Sequence, residues 1–243
     1  MMTFEQAGDS PPPYCTLLSD EVHVWRMPLE QPAGCVRQLL QSLSADERTR
    51  AAQFHFERDR RRFIVARGAL RIILGSYLSL EPSHLQFGCG SHGKPYLSKP
   101  DYCAIRFNLA HSHELALYAL SYGREIGVDI EYIRPMPNIE QIVGRFFSAS
   151  ESAALQALPP GQQLEAFFNC WTRKEAYIKA IGDGLAQPLD QFQVSLAPGE
   201  LPQLLRVEKN SSEVARWRME ALKPAPGYVA ALAVEGFDWS LKL

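Results

Sequence analysis

No stretch of this 243-residue chain approaches the roughly 18 consecutive apolar residues that a bilayer-spanning helix needs. Residues 1–13 hold Glu5, Asp9 and three consecutive prolines, and lack the basic start and apolar run of a secretory signal. The expectation is a loose tail over 1–14 on a cytoplasmic protein. Charge of one sign is not in surplus either. Lys and Arg number 25 against 27 Asp and Glu, a net charge of -2, so no global basic field draws the chain to nucleic acid or anionic lipid. The five cysteines (Cys15, Cys35, Cys89, Cys103, Cys170) are odd in number and widely spaced, with no CxxC pair, and read as reduced thiols. There is no low-complexity linker and no repeat strong enough to claim by eye.

What is present is a globular composition, 46% hydrophobic and 21% charged, enough for one large domain or two small ones. Val22 to Met27 predicts a strand broken by Pro28 and Pro32. Ser44 with Glu47 three residues on forms a capping box, and the chain turns helical from Leu43. Asp59 to Leu80 places Phe63, Ala66, Leu70, Ile73, Leu74 and Tyr77 at helical spacing. A glycine-rich loop ending at Gly93-Lys94-Pro95 leads to strands near 105–109, 115–120 and 126–133. Short helices are expected over 139–147 and from Ser150 to Leu158. A strong helix runs over 164–181, stopped by Gly182 and Gly184, and strands follow over 192–196, 217–222 and 228–234. Helices mixed with antiparallel strands make the class α+β.

Chemistry concentrates in a few places. In Gly127-Val128-Asp129-Ile130-Glu131, strand alternation puts Asp129 and Glu131 on one face. Two adjacent carboxylates suit a hard divalent ion such as Mg²⁺, but taken alone the pattern reads more simply as a solvated acidic strand face. On the helix over 164–181, Glu175 falls within the apolar stripe of Leu164, Phe167, Phe168, Trp171 and Ile178, where a bare carboxylate is costly. It either pairs with Lys179 at i,i+4 or completes a carboxylate set with Asp129 and Glu131, with Lys174 and Lys179 meeting phosphate oxygens. Both readings stand at this point. Arg58, Arg60, Arg61, Arg62, Arg67 and Arg71 load one helix. Most read as a solvated face, and one or two are in position to reach a phosphate. Of His111 and His113, the first is read as an anion contact and the second as incidental.

The segments Gly93-Lys94-Pro95, Phe107-Asn108-Leu109-Ala110-His111-Ser112, Gly127 to Glu131, Arg145 to Glu151 and Trp171 to Ala180 together resemble the ordered motifs of the Sfp-type 4′-phosphopantetheinyl transferases. The paired signature is a G-V-D-I-E strand followed about forty residues later by W-x-x-K-E-x-x-x-K. The resemblance spans roughly 44–196.

It implies a pseudo-dimer of two similar α+β halves, 15–124 and 125–243, with the active site in the cleft between them. It implies transfer of the phosphopantetheine arm of coenzyme A to a serine of an acyl or peptidyl carrier protein, in the manner of a holo-[acyl-carrier-protein] synthase, by a Mg²⁺-dependent monomer that releases adenosine 3′,5′-bisphosphate. Asp129, Glu131 and Glu175 would hold Mg²⁺. Lys174, Lys179 and His111 would meet phosphates, and Lys94, Arg62 and Arg50 the 3′-phosphoadenosine end. The base would be Glu151 or a water oriented by Glu131. Arg124, the helix from Ile139 and part of Phe146-Phe147 would lie where the carrier docks. Two departures stand out. Ala110 replaces a serine, losing a ligand hydroxyl, and Glu47 replaces a lysine of some members, losing a cation. The rival readings are a metal-dependent phosphodiesterase or nuclease, which a sequence pI near 6.3 argues against, and a non-enzymatic carrier-binding module.

Overall fold

A computed structural model describes residues 2–3, 15–98, 104–182, 187–208 and 210–243. The first half runs β1 (Met2–Thr3), β2 (Glu21–Pro28), α1 (Ala33–Ser42), α2 (Ala45–Ala52), α3 (Glu57–Leu78), β3 (Phe87–Cys89), β4 (Pro95–Leu97), β5 (Ile105–Ser112) and β6 (Leu115–Tyr122). The second runs β7 (Ile126–Tyr132), α4 (Ile139–Phe146), α5 (Ala149–Ala157), α6 (Pro160–Ile181), β8 (Phe192–Val194), β9 (Leu204–Val207), β10 (Trp217–Leu222), β11 (Tyr228–Glu235) and β12 (Ser240–Lys242). Apart from β1, the tail expected over 1–14 lies outside the described residues, as do Cys103 and Gly184.

The two halves share one topology. In the first, strand order is β2-β6-β5; in the second it is β7-β11-β10. Each opening strand pairs antiparallel with the last strand of its half, which in turn pairs antiparallel with the middle one. Each half places a 22-residue helix, α3 or α6, between its first and middle strands. The fold is therefore the α+β pseudo-dimer that the motifs imply. Outside the repeat, β12 returns to pair parallel with Glu21–His23 of β2, tying the end of the second half to the first.

Apolar burial follows this plan. One core packs α1 and α3 on the first sheet through Leu39, Leu70, Leu74, Phe107 and Tyr118. A second packs α6 against the second sheet and β8 through Phe167, Phe168, Tyr177, Phe192 and Trp217. A third lies between the halves and takes Val22, Val24, Leu117 and Ala119 from one, and Val128, Ile130, Leu232 and Trp239 from the other.

β2 ends at Pro28 as expected, but two helix entries at proline go beyond the sequence reading. Helix α1 follows Pro32 directly, and α6 starts at Pro160, a turn before Leu164. In both cases proline sits at a helix entry, where its missing N–H costs nothing and its fixed φ suits the first turn. The capping box at Ser44 and Glu47 is present. The box that opens α5 uses Ser148, not Ser150, with Glu151 as its acid. Gly182 ends α6 in the left-handed conformation (φ 78°).

Candidate active site

A cavity of about 1570 Å³ opens between the halves. Its wall carries a cationic and aromatic group from α2, α3, β3 and β5: Arg50, Arg62, Phe63, Arg67, Phe87 and His111. Glu131 and Arg134 supply the far end from the second half.

Gly127 explains how the acidic end is built. It lies on the face of β7 that meets α6, and a Cβ there would overlap the Ala176 carbonyl oxygen and the Ala180 nitrogen. Only glycine lets the helix settle this close to the strand. The contact brings Glu175 and Lys179 of α6 onto Asp129 and Glu131, which share that same strand face.

The Lys179 ammonium lies 2.6 Å from Asp129 Oδ1. The i,i+4 pair with Glu175 is thus not the one made: no ion pair of Glu175 occurs among the described residues, and Lys179 reaches across to the strand instead. The Asp129 Oδ2 atom is buried with no hydrogen-bond partner. Burial, opposed by Lys179 and reinforced by the charges of Glu175 and Glu131, pushes the Asp129 carboxyl up to about 7. Burial likewise raises Glu175, against Lys179 and with Glu131. Three mutually repelling carboxylates with one orphaned oxygen make a hard, oxygen-only donor set that fits a divalent cation. Among the described residues, however, no three acidic, histidine or cysteine side chains are gathered at metal-holding distance. Lys179 occupies Asp129, and Glu131 is turned toward Ser112 (2.8 Å) and Arg134 (3.4 Å).

At the cationic wall, Arg62 is held by Glu30 at 2.8 Å, and Arg50 lies 5.4 Å from the Phe63 ring centre. Loss of water around the His111 ring, then the charges of Lys179 and Arg62, lower its pKa. Glu47 is buried and binds both Arg67 and Arg71. Burial alone would raise its pKa, but the hydrogen bonds from Arg71 and Arg67 hold it below the ordinary carboxylate value. Arg67 also lies 4.5 Å from the Phe87 ring centre.

Several expected site residues face elsewhere. The Lys174 side chain is fully buried, 2.8 Å from Glu151, and donates to the carbonyls of Leu189 (2.7 Å) and Phe192 (2.6 Å). Glu151 also accepts from the backbone N–H of Ser148 (2.8 Å) and Val194 (2.9 Å). Both groups are satisfied and out of reach of any ligand. This placement speaks against Lys174 as a phosphate contact and against Glu151 as a base. The reason is that α6 is covered on both sides, by the β7/β11 sheet and by β8, so its apolar stripe does not mark its only buried face. Lys94 does not line the cavity, although Gly93 and Pro95 do. Its ammonium binds Glu125 (3.0 Å) and the Ala180 carbonyl (2.8 Å) at the negative end of α6. Ala110 points into the core between the halves, on the opposite strand face from His111, so its side chain is not turned to the cavity. Arg124 is tied to the Ser19 carbonyl (3.2 Å) and Asp238 (2.9 Å). Phe147 is buried and stacks on Phe167, while Phe146 packs edge-on to Trp171.

The sequence reading placed Asn108 and Ser112 in a motif but gave a role to neither Ser112, which binds Glu131, nor the seam residue Asn108. Their spacing of four on one strand face was the available signal.

Two family descriptions match the chain in tandem: "4′-phosphopantetheinyl transferase, N-terminal" over 30–122 and "4′-phosphopantetheinyl transferase superfamily" over 125–233. The 4′-phosphopantetheinyl transferase HetI of Nostoc sp. is 45% identical over 95% of this chain and 94% of its own. The 4′-phosphopantetheinyl transferase Sfp of Bacillus subtilis is 32% identical over 63% of this chain and 66% of its own. A solved Helicobacter pylori holo-[acyl-carrier-protein] synthase in complex with coenzyme A aligns with 46% of this chain and 99% of its own, at 24% identity and a TM-score of 0.32, too distant to carry weight. On the strength of its extensive identity to the Nostoc protein, this chain belongs to the Sfp-type branch of the 4′-phosphopantetheinyl transferase superfamily.

Proposed function

We propose that the chain transfers 4′-phosphopantetheine from coenzyme A to a serine hydroxyl of an acyl or peptidyl carrier protein, releasing adenosine 3′,5′-bisphosphate. The observation that carries this reading is the polarity of one cleft: arginines and His111 along its wall and Glu131 at its end, with the orphaned Asp129 oxygen on the same face of β7 as Glu131. The wall suits a polyphosphate ligand, with Arg50 and Arg62 toward the 3′-phosphoadenosine end and His111 and Lys179 toward the pyrophosphate. Asp129, Glu131 and Glu175 would hold Mg²⁺, which when bound neutralises charge at the pyrophosphate.

The serine oxygen forms the new bond to the β-phosphorus, and the bond from that phosphorus to the bridging oxygen breaks, leaving with the nucleotide. Of the two bases expected, a water oriented by Glu131 stays in play, because Glu131 is the carboxylate of this set that lines the cavity. Lys179 opposes the burial that raises the Asp129 carboxyl and adds positive charge beside the phosphates. We further propose a monomer divided between residues 124 and 125. The two family matches end and begin on either side of that point, and the cleft is complete within one chain. No helix of the described residues is long and apolar enough to cross a membrane. A metal-dependent nuclease or a non-enzymatic binding module is not favoured, given the relatives.

Intact-mass spectrometry of an apo carrier protein with this protein, coenzyme A and Mg²⁺ tests the reading. The expected result is a gain of one phosphopantetheine mass, blocked by EDTA. Asp129→Asn should slow it by roughly 10²-fold or more, the usual cost of removing a group that stabilises developing charge. No gain with fatty-acid, polyketide and peptide carriers, together with no calorimetric binding of coenzyme A, would sink the proposal.

A further inference from the structure

The seam between the halves carries two polar side chains from one face of β5. Asn108 accepts the Val128 backbone N–H through Oδ1 at 2.9 Å. Ser112, four residues on, accepts the Tyr132 backbone N–H at 3.2 Å. They stand in for the rungs that a continuous ladder would supply between β5 and β7. Ser112 does one thing more: its hydroxyl donates to Glu131 Oε2 at 2.8 Å.

A hydroxyl has one hydrogen to give. With Tyr132 N–H directed at Oγ, that hydrogen goes to Glu131. Ser112 is 9% exposed, at the wall of the cavity. The other group at Oε2 is Arg134, at 3.4 Å and half exposed, a weaker hold on the same oxygen. With Oε2 engaged from both sides, Oε1 is the oxygen left for the cavity.

We propose that Ser112 is a positioning residue for Glu131: a hydroxyl of the first half that sets the carboxylate of the second half for ligand binding. The proposal rests on the reading of Glu131 as a divalent-cation ligand. It makes the acidic end of the cleft depend on the seam. A C-terminal half without β5 would carry Glu131 but not its orientation.

Asn108 is the internal control, because it makes the same kind of rung and touches no carboxylate. The experiment is calorimetric titration with Mn²⁺ in the presence of coenzyme A and without carrier, so no turnover is involved, with thermal unfolding measured alongside. Ser112→Ala should weaken Mn²⁺ binding about tenfold, the size of one lost charge-assisted hydrogen bond. Asn108→Ala should lower Tm and leave Mn²⁺ binding at the wild-type value. Ser112→Cys keeps the volume with a much weaker donor, and should also weaken Mn²⁺ binding if the alanine variant does not fold. Unchanged Mn²⁺ affinity in the folded Ser112 variants would make the residue a plain rung and overturn the proposal alone. Failure of the wild-type protein itself to bind Mn²⁺ would overturn the metal reading, and this proposal with it.

Discussion

Asp129 and Lys174 carry opposite lessons about a buried charge. Asp129 keeps an unpartnered oxygen beside two other carboxylates, an arrangement that costs stability unless a ligand uses it. Lys174 is more deeply buried, yet it is satisfied by one carboxylate and two carbonyls. Its role is to fasten α5 and β8 to α6. Lys174→Met should therefore unfold the protein more readily, by about 3–5 kcal/mol, because Glu151 is left as an uncompensated buried charge. Adding Glu151→Gln should recover part of that loss. Chemical denaturation of the single and double variants measures both. A Lys174→Met protein of wild-type stability with impaired coenzyme A binding would return Lys174 to the ligand site.

The packing of α6 on β7 decides whether there is a site at all. Glu175 and Lys179 of α6 face Asp129 and Glu131 of β7, with Lys179 on Asp129, because position 127 has no Cβ. Gly127→Ala should push the helix off the strand, costing a few kcal/mol as an overpacking change and separating Lys179 from Asp129. The expected readout is a lowered Tm together with lost phosphopantetheine transfer. Transfer at the wild-type rate in a folded Gly127→Ala protein would show that the close approach is not needed. The loop carrying Lys94 belongs to the same joint. It reaches the last turn of α6 and Glu125, so it works as a clasp between the halves.

Each half repeats the same three strands and long helix, and the two share one core. Removing the second half would bare Val22, Val24, Leu117 and Ala119 of the shared core and strip β12 from β2. Exposed apolar surface of this kind destabilises a small domain. Residues 1–124 expressed alone should thus lack a cooperative thermal transition, and co-expression with 125–243 should restore one. A sharply unfolding first half on its own would mean that the shared core contributes little.

The chemistry of the acidic end was legible in the order of residues. Alternation in β7 puts Asp129 and Glu131 on one face, and W-x-x-K-E-x-x-x-K on a helix supplies Glu175 and Lys179 from the same side. Local rules also sufficed for the capping box at Ser44 and for the glycine end of α6, since each involves only neighbours within a turn. Tertiary structure alone decided the fate of Lys94, Lys174, Glu151 and Ala110, and the choice of Asp129 over Glu175 as the partner of Lys179. Each depends on a group remote in sequence: the Phe192 carbonyl for Lys174, Glu125 for Lys94, Val194 for Glu151, the opposite half for Ala110. A side chain's type and spacing state what it can bind, but which partner it meets is set by the packing of distant elements, and a buried charge takes whichever partner that packing brings within reach.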